Sequence, residues 1–93
     1  MNTGSFVVVR TYSAGVHVGT LEKREGKEVT LTDARRIWSW KGANTLHEIA
    51  LSGVGNGSRV SEAVPSLVLT EAIEIIAATD KAKANLTAAG WSK

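Results

Sequence analysis

No cysteine occurs in this 93-residue chain. That excludes a disulfide framework and a zinc–thiolate centre, and it is compatible with a reducing compartment. Proline occurs once, at Pro65, so the composition is not that of a proline-rich linker or an extended disordered tail. The longest apolar runs, residues 6–9 and 75–78, fall far short of the roughly 20 residues a transmembrane helix needs. The N-terminus has neither the charged segment nor the apolar core of a secretory leader. These absences predict a soluble intracellular protein with no membrane partner.

Charge of one sign is scarce as well. Eleven Lys and Arg against nine Asp and Glu leave a net charge of +2, weak for a cationic nucleic-acid binder. A positive site must therefore come from local clustering. His17 and His47 lie far apart with no metal-ligand spacing, so neither a metal site nor a cofactor is expected. No nucleophile motif surrounds Ser13, Ser39, Ser52, Ser58 or Ser61. Glu71 and Glu74 read as a solvated strand edge. Catalysis requires a base, an orienting group and an oxyanion site in one pocket, and the spacing offers none, so the protein is not expected to be an enzyme.

What is present is strand-forming. Residues 5–12 alternate with apolar side chains on both faces: Phe6, Val8, Arg10 and Tyr12 on one, Val7, Val9 and Thr11 on the other. Such a strand belongs in a curled sheet covered on both sides. Residues 16–23 form a second strand, in which Gly19 permits a bend or a close backbone approach. A polar hairpin at residues 24–27 leads to a third strand over 28–32. Asp33 marks a bulge or kink, after which residues 35–40 continue the strand. Alternation puts Arg35, Ile37 and Ser39 on one side and Arg36, Trp38 and Trp40 on the other.

Thr45 and Glu48 then form a capping box for a short helix over 46–52, terminated by Gly53. Residues 54–58, with Gly55, Asn56, Gly57 and Ser58, form a loop, either a tight connection or an anion cradle made of backbone amides. Residues 59–65 read as irregular, and 66–69 and 72–77 as strands. Thr79 caps a last helix over 80–88, whose narrow apolar stripe is Ala82, Leu86 and Ala89. Trp91 follows and is placed to fold back onto the sheet. The prediction is a single α+β domain over residues 1–93. It has a small bent antiparallel sheet or partial barrel of about five strands, one inserted short helix and one C-terminal helix.

Aromatic residues make up only 5% of the chain, yet two of the three tryptophans stand two residues apart at Trp38 and Trp40, beside Arg35 and Arg36. Arg10 interrupts an apolar strand, where a charge needs an acidic partner such as Asp33 or Glu74, a barrel mouth, or a ligand. These residues define a candidate anion site. Arg10, Arg35 and Arg36, with Arg59 nearby, would meet phosphate, and Tyr12, Trp38 or Trp40 would stack on a base. The alternative role for the tryptophans is core or subunit interface. His17 alternates onto the face of Leu21, where satisfied packing is expected. Lys23, Arg24 and Lys27 at the hairpin tip are interleaved with Glu22, Glu25 and Glu28, which cancel most of their field.

The stretch from Gly19-Thr20-Leu21 through Val29-Thr30-Leu31-Thr32-Asp33-Ala34 resembles the central hairpin of Sm-like and other SH3-like small barrels, which implies a bent sheet. A longer pattern, Arg10-Thr11-Tyr12-Ser13-Ala14-Gly15-Val16, then Asp33-Ala34-Arg35-Arg36-Ile37-Trp38, then Gly42-Ala43-Asn44-Thr45-Leu46, is similar to a family of small uncharacterised proteins of tailed phages and prophages. That resemblance implies a phage origin and a place in the host cytoplasm. It also implies the roles small phage proteins commonly fill: structural accessories, regulators, or inhibitors of host defence, some of which sequester cyclic-nucleotide signals. The expected function is a non-catalytic, homo-oligomeric sponge for a small anionic ligand, foremost a nucleotide immune signal. The alternatives are a protein-interaction module that inhibits a host protein or serves in the virion, and a single-stranded nucleic-acid binder.

Overall fold

The computed structural model describes residues 3–90; the expectation for Trp91 lies outside them. In chain order the elements are β1 (Phe6–Thr11), β2 (Val16–Glu25), β3 (Glu28–Ser39), α1 (Leu46–Ser52), β4 (Arg59–Val60), β5 (Val64–Leu69), β6 (Ala72–Ala77) and α2 (Asp80–Ala88). The strands form one antiparallel sheet in the order β4-β3-β2-β1-β6, and β5 also pairs with β3. Six strands replace the expected five, because residues 59–65 contribute β4 and the start of β5.

The length of β3 organises this topology. Its first half, Val29 to Ala34, pairs with β5, and its second half, Ile37 to Ser39, pairs with β4. β5 and β6 are joined through residues 70–71, yet one lies on β3 and the other on β1. The sheet therefore curls back on itself but stays open where these two strands meet. Pro65 is tolerated because β5 is an edge strand, where a missing N–H need not break a ladder.

Both faces of the sheet are buried, as the apolar alternation of residues 6–9 requires. Val7, Val9, Leu21, Val29, Leu31, Ala34, Leu69 and Ala72 fill the concave side. Val8, Val18, Ile37 and Val60 turn the other way, against Ile49 and Ala50 of α1 and Leu86 of α2. Gly19 sits where the curl is tightest. A Cβ there would lie 3.0 Å from the Thr32 carbonyl oxygen and 3.2 Å from the Ala34 Cα. Opposite it the register shifts, and Asp33 takes a positive φ of 50°, the mark of a bulge.

The helices begin and end as their caps dictate. The Thr45 Oγ1 accepts from the Glu48 N–H at 3.2 Å, and the Thr79 Oγ1 accepts from the Ala82 N–H at 3.1 Å. Ala82 and Leu86 are fully buried, and Ala89 packs on the same cluster. The 54–58 loop is a tight connection. Its Gly55 N–H donates to the Lys41 carbonyl at 2.7 Å, and Ser58 Oγ accepts from the Lys41 N–H at 2.9 Å while donating to the Gly55 carbonyl at 2.8 Å. With the Gly55 and Ser58 amides both donating to carbonyls, the anion-cradle alternative is not supported. Among the described residues, no helix is long and apolar enough to cross a membrane.

Candidate functional site

The six predicted site residues do not converge. Tyr12 is 77% exposed and stands beside Lys27, Glu71 and Ile73. Arg10 is exposed at the end of β1, directly across from Glu74 of β6. Arg35 and Arg36 are consecutive on β3, so they leave opposite faces of the sheet. Trp40 departs from its expected face. β3 carries two residues, Ile37 and Ser39, against Val60 and Arg59 of β4, which leaves Trp38 as an extra, bulged residue. Alternation breaks there. Trp40 consequently joins Ile37 on the helix side and packs half-buried against the α1 cluster, while Trp38 remains 48% exposed.

Arg35 is a structural residue. It is buried, its Nε donates to the Ser61 carbonyl at 2.7 Å, and its Nη1 donates to the Leu86 carbonyl at 2.8 Å and the Thr87 carbonyl at 3.4 Å. The last two carbonyls belong to the C-terminal turn of α2, which has no basic residue of its own. A cation there satisfies carbonyls left without intrahelical donors and meets the negative end of the helix dipole. Burial lowers the pKa of this guanidinium from its ordinary value; an arginine stays charged nonetheless.

Arg36, Trp38 and a residue not predicted as a site member, His17, mark the most coherent surface. His17 and Arg36 are cross-strand partners on the concave side. They line a cavity of about 210 Å³ together with Ala34, Ser61, Glu62, Val64 and Leu67. Two residues further along β3, at the bulge, Trp38 is 48% exposed. The Arg59 guanidinium lies over its ring, 5.1 Å from the centroid. Ser61 fixes this edge: its Oγ accepts from the Arg36 N–H at 2.8 Å, and its own N–H donates to the Arg36 carbonyl at 2.8 Å.

His17 is 1% exposed. Its Nε2 lies 2.9 Å from the Ala14 carbonyl oxygen, and a carbonyl only accepts, so Nε2 carries the proton. Nδ1 is then a bare lone pair, buried and without a hydrogen-bond partner in the protein. Burial holds the imidazole pKa below the ordinary 6.5; the Ala14 carbonyl pulls it back up, and the Arg36 charge lowers it. The unfolded chain thus binds the proton more readily than the folded one. Folding stability should be constant above pH 6.5 and should fall as pH drops below it, by up to about 1.4 kcal/mol per pH unit, until the folded pKa is reached. Thermal unfolding between pH 7.5 and pH 5 checks this. A His17→Gln chain should lose that slope, and an equal slope in both chains would refute the assignment.

Sequence alternation placed His17 inside but did not reveal its unpaired nitrogen, which depends on the Ala14 turn. Glu62 and Ser61 carried no signal, since they lie in a segment that reads as irregular. Among the described residues, no group of three or more His, Cys, Asp or Glu side chains could hold a metal ion.

Fold and site together define a small α+β domain: an open, curled antiparallel sheet that buries two helices on one face and carries His17 and Arg36 side by side on the other. The chain belongs to the family described as a domain of unknown function, DUF6948, whose model matches residues 4–86. No curated protein and no solved structure matches it.

Proposed function

We propose that this domain is a non-catalytic binding protein that captures a small anionic ligand with a planar ring, foremost a nucleotide. One observation carries the reading: Arg36 and the buried His17 line a cavity at the sheet mouth, and two residues further along β3 the exposed Trp38 ring carries the Arg59 guanidinium over it. An indole offers stacking of about 1–3 kcal/mol per base, and guanidinium groups offer charge-assisted bonds to phosphate. The resemblance to small phage proteins extends the proposal to an anti-defence sponge that holds a nucleotide immune signal, including cyclic ones, in the host cytoplasm. The cavity is small for such a ligand, and association of two chains would extend the site.

The test is a thermal-shift series of the full chain with mononucleotides, cyclic dinucleotides, cyclic trinucleotides and ADP-ribose derivatives. A ligand present at a hundred times its dissociation constant adds about 2.7 kcal/mol of stability. Arg36→Ala and Trp38→Ala should each abolish most of the shift while unfolding close to wild type when unliganded, because both side chains are exposed. No shift with any ligand would overturn the proposal. A host protein retained by the same residues regardless of nucleotide would favour an interaction module instead, in keeping with the exposure of Trp38.

A further inference from the structure

The loop between α1 and β4 carries a dipeptide with chemistry of its own, Asn56-Gly57. The Ser58 N–H reaches the Gly55 carbonyl at 3.4 Å, which makes Asn56 and Gly57 the two central residues of a β-turn. Gly57 has a φ of 87°, the positive value that the second central residue of a type II turn requires. The ends of the turn are pinned to Lys41: the Gly55 N–H donates to its carbonyl, and the Ser58 Oγ accepts from its N–H. The middle is not pinned. The Asn56 side chain is exposed and makes no hydrogen bond among the described residues, and the Gly57 N–H donates to no group among them. The closing bond is longer than the roughly 2.7–3.2 Å usual for N–H···O, so the turn opens at little cost.

An asparagine Cγ is an electrophile within reach of the next residue's main-chain nitrogen, and closure makes a five-membered ring. Glycine as that next residue has no side chain to crowd the nitrogen. From this arrangement we infer that Asn56 is a self-modification site, which converts to aspartate and isoaspartate in the folded protein. The Gly57 nitrogen gives its proton to solvent base and bonds to the Asn56 Cγ. The Cγ–Nδ2 bond breaks, and the amide nitrogen takes a proton from solvent and leaves as ammonia. Water then opens the resulting succinimide at either carbonyl, giving aspartate or isoaspartate. Each product carries a new negative charge. The Lys41 side chain lies over this turn, since a Cβ on Gly57 would stand 3.6 Å from its Nζ; the carboxylate therefore forms beside an ammonium group. Isoaspartate also lengthens the main chain between the two residues pinned to Lys41. The Arg59 that covers Trp38 follows directly in β4. Asn44 and Asn85 lack this combination. Asn44 precedes the β-branched Thr45. Asn85 lies within α2 with Oδ1 and Nδ2 both bonded to Val54.

Storage of the full chain, folded, in mildly alkaline buffer tests it. A form heavier by about one mass unit and with a lower isoelectric point should accumulate, and peptide mapping should place aspartate and isoaspartate at residue 56. The rate should rise with pH, because the deprotonated nitrogen attacks. A turn that opens locally gives a folded rate within about tenfold of the rate in urea, whereas a site reached only by global unfolding would be slower by about a thousandfold or more. Asn56→Gln should stop the conversion, because its ring would need six members and closes far more slowly. Asn56 is exposed, so this variant keeps the fold. A folded rate more than about tenfold below the rate in urea would mean that the native turn protects Asn56, and overturns the inference. Conversion spread equally over Asn44, Asn56 and Asn85, or undiminished in Asn56→Gln, overturns it as well.

Discussion

Arg35→Met should lower the unfolding free energy by about 3–4 kcal/mol, the largest single loss expected in this chain. Methionine preserves much of the stem and its packing but removes every donor. Three backbone carbonyls, those of Ser61, Leu86 and Thr87, would then lose their partner. Hydrogen bonds from a charged donor contribute about 1.5–3 kcal/mol each, and an abandoned buried acceptor retains its desolvation cost. For a domain of this size the loss corresponds to a fall in Tm of roughly 12–30 °C. Arg35→Lys should fall between, because a single ammonium cannot span β4's flanking segment and the end of α2 as a fork does. Thermal unfolding of the three chains checks the order. A side chain held free for phosphate would give the opposite pattern, with stability near wild type and binding lost. A loss under about 1 kcal/mol in Arg35→Met would show that α2 docks without this residue.

The contrast between Arg35 and its neighbour explains how far the chain could be read before the structure. The strands were legible because alternating apolar residues state which face is buried, and on residues 6–9 they state that both are. Both helices were legible from their threonine caps. These are local signals. Alternation also separates Arg35 from Arg36, yet a rule about faces cannot say that one face ends under a helix 51 residues later. Trp40 shows a second limit. One bulged residue, set by pairing with a two-residue strand too short to recognise, turned it from the open face to the core. His17 shows a third. Its burial follows from its place in the strand, but the state of its Nδ1 depends on a turn carbonyl that no pattern encodes. The part of the site that was legible is Arg36, which regular alternation puts across from His17; Trp38 stands at the bulge, where alternation breaks.

Gly53→Ala should destabilise by about 3 kcal/mol through the joint between the helices, although the change adds a single methyl group. Gly53 ends α1 with a φ of 82°, and its N–H donates to the Ile49 carbonyl at 2.8 Å. With ψ at −154° this is a region that is essentially glycine's alone, and an L-residue pays about 1–3 kcal/mol to sit there. The added Cβ would also overlap the Asn85 side-chain amide from α2. That amide is occupied on both sides: Oδ1 accepts from the Val54 N–H at 2.8 Å, and Nδ2 donates to the Val54 carbonyl at 3.0 Å. The pair copies one rung of a β-ladder across the joint, and each bond contributes about 0.5–1.5 kcal/mol. Displacing Asn85 would cost both and would disturb Leu86 beside it, which is fully buried against Ile49 and Ala50. Asn85→Ala alone should cost about 2 kcal/mol, from the two bonds. The double variant should cost less than the sum by about 1 kcal/mol or more, because truncating Asn85 removes the amide that the new methyl group meets. Full additivity in urea unfolding would mean that the cost at Gly53 is purely conformational. Tolerance of Gly53→Ala within about 0.5 kcal/mol would mean that the helices meet without the clamp.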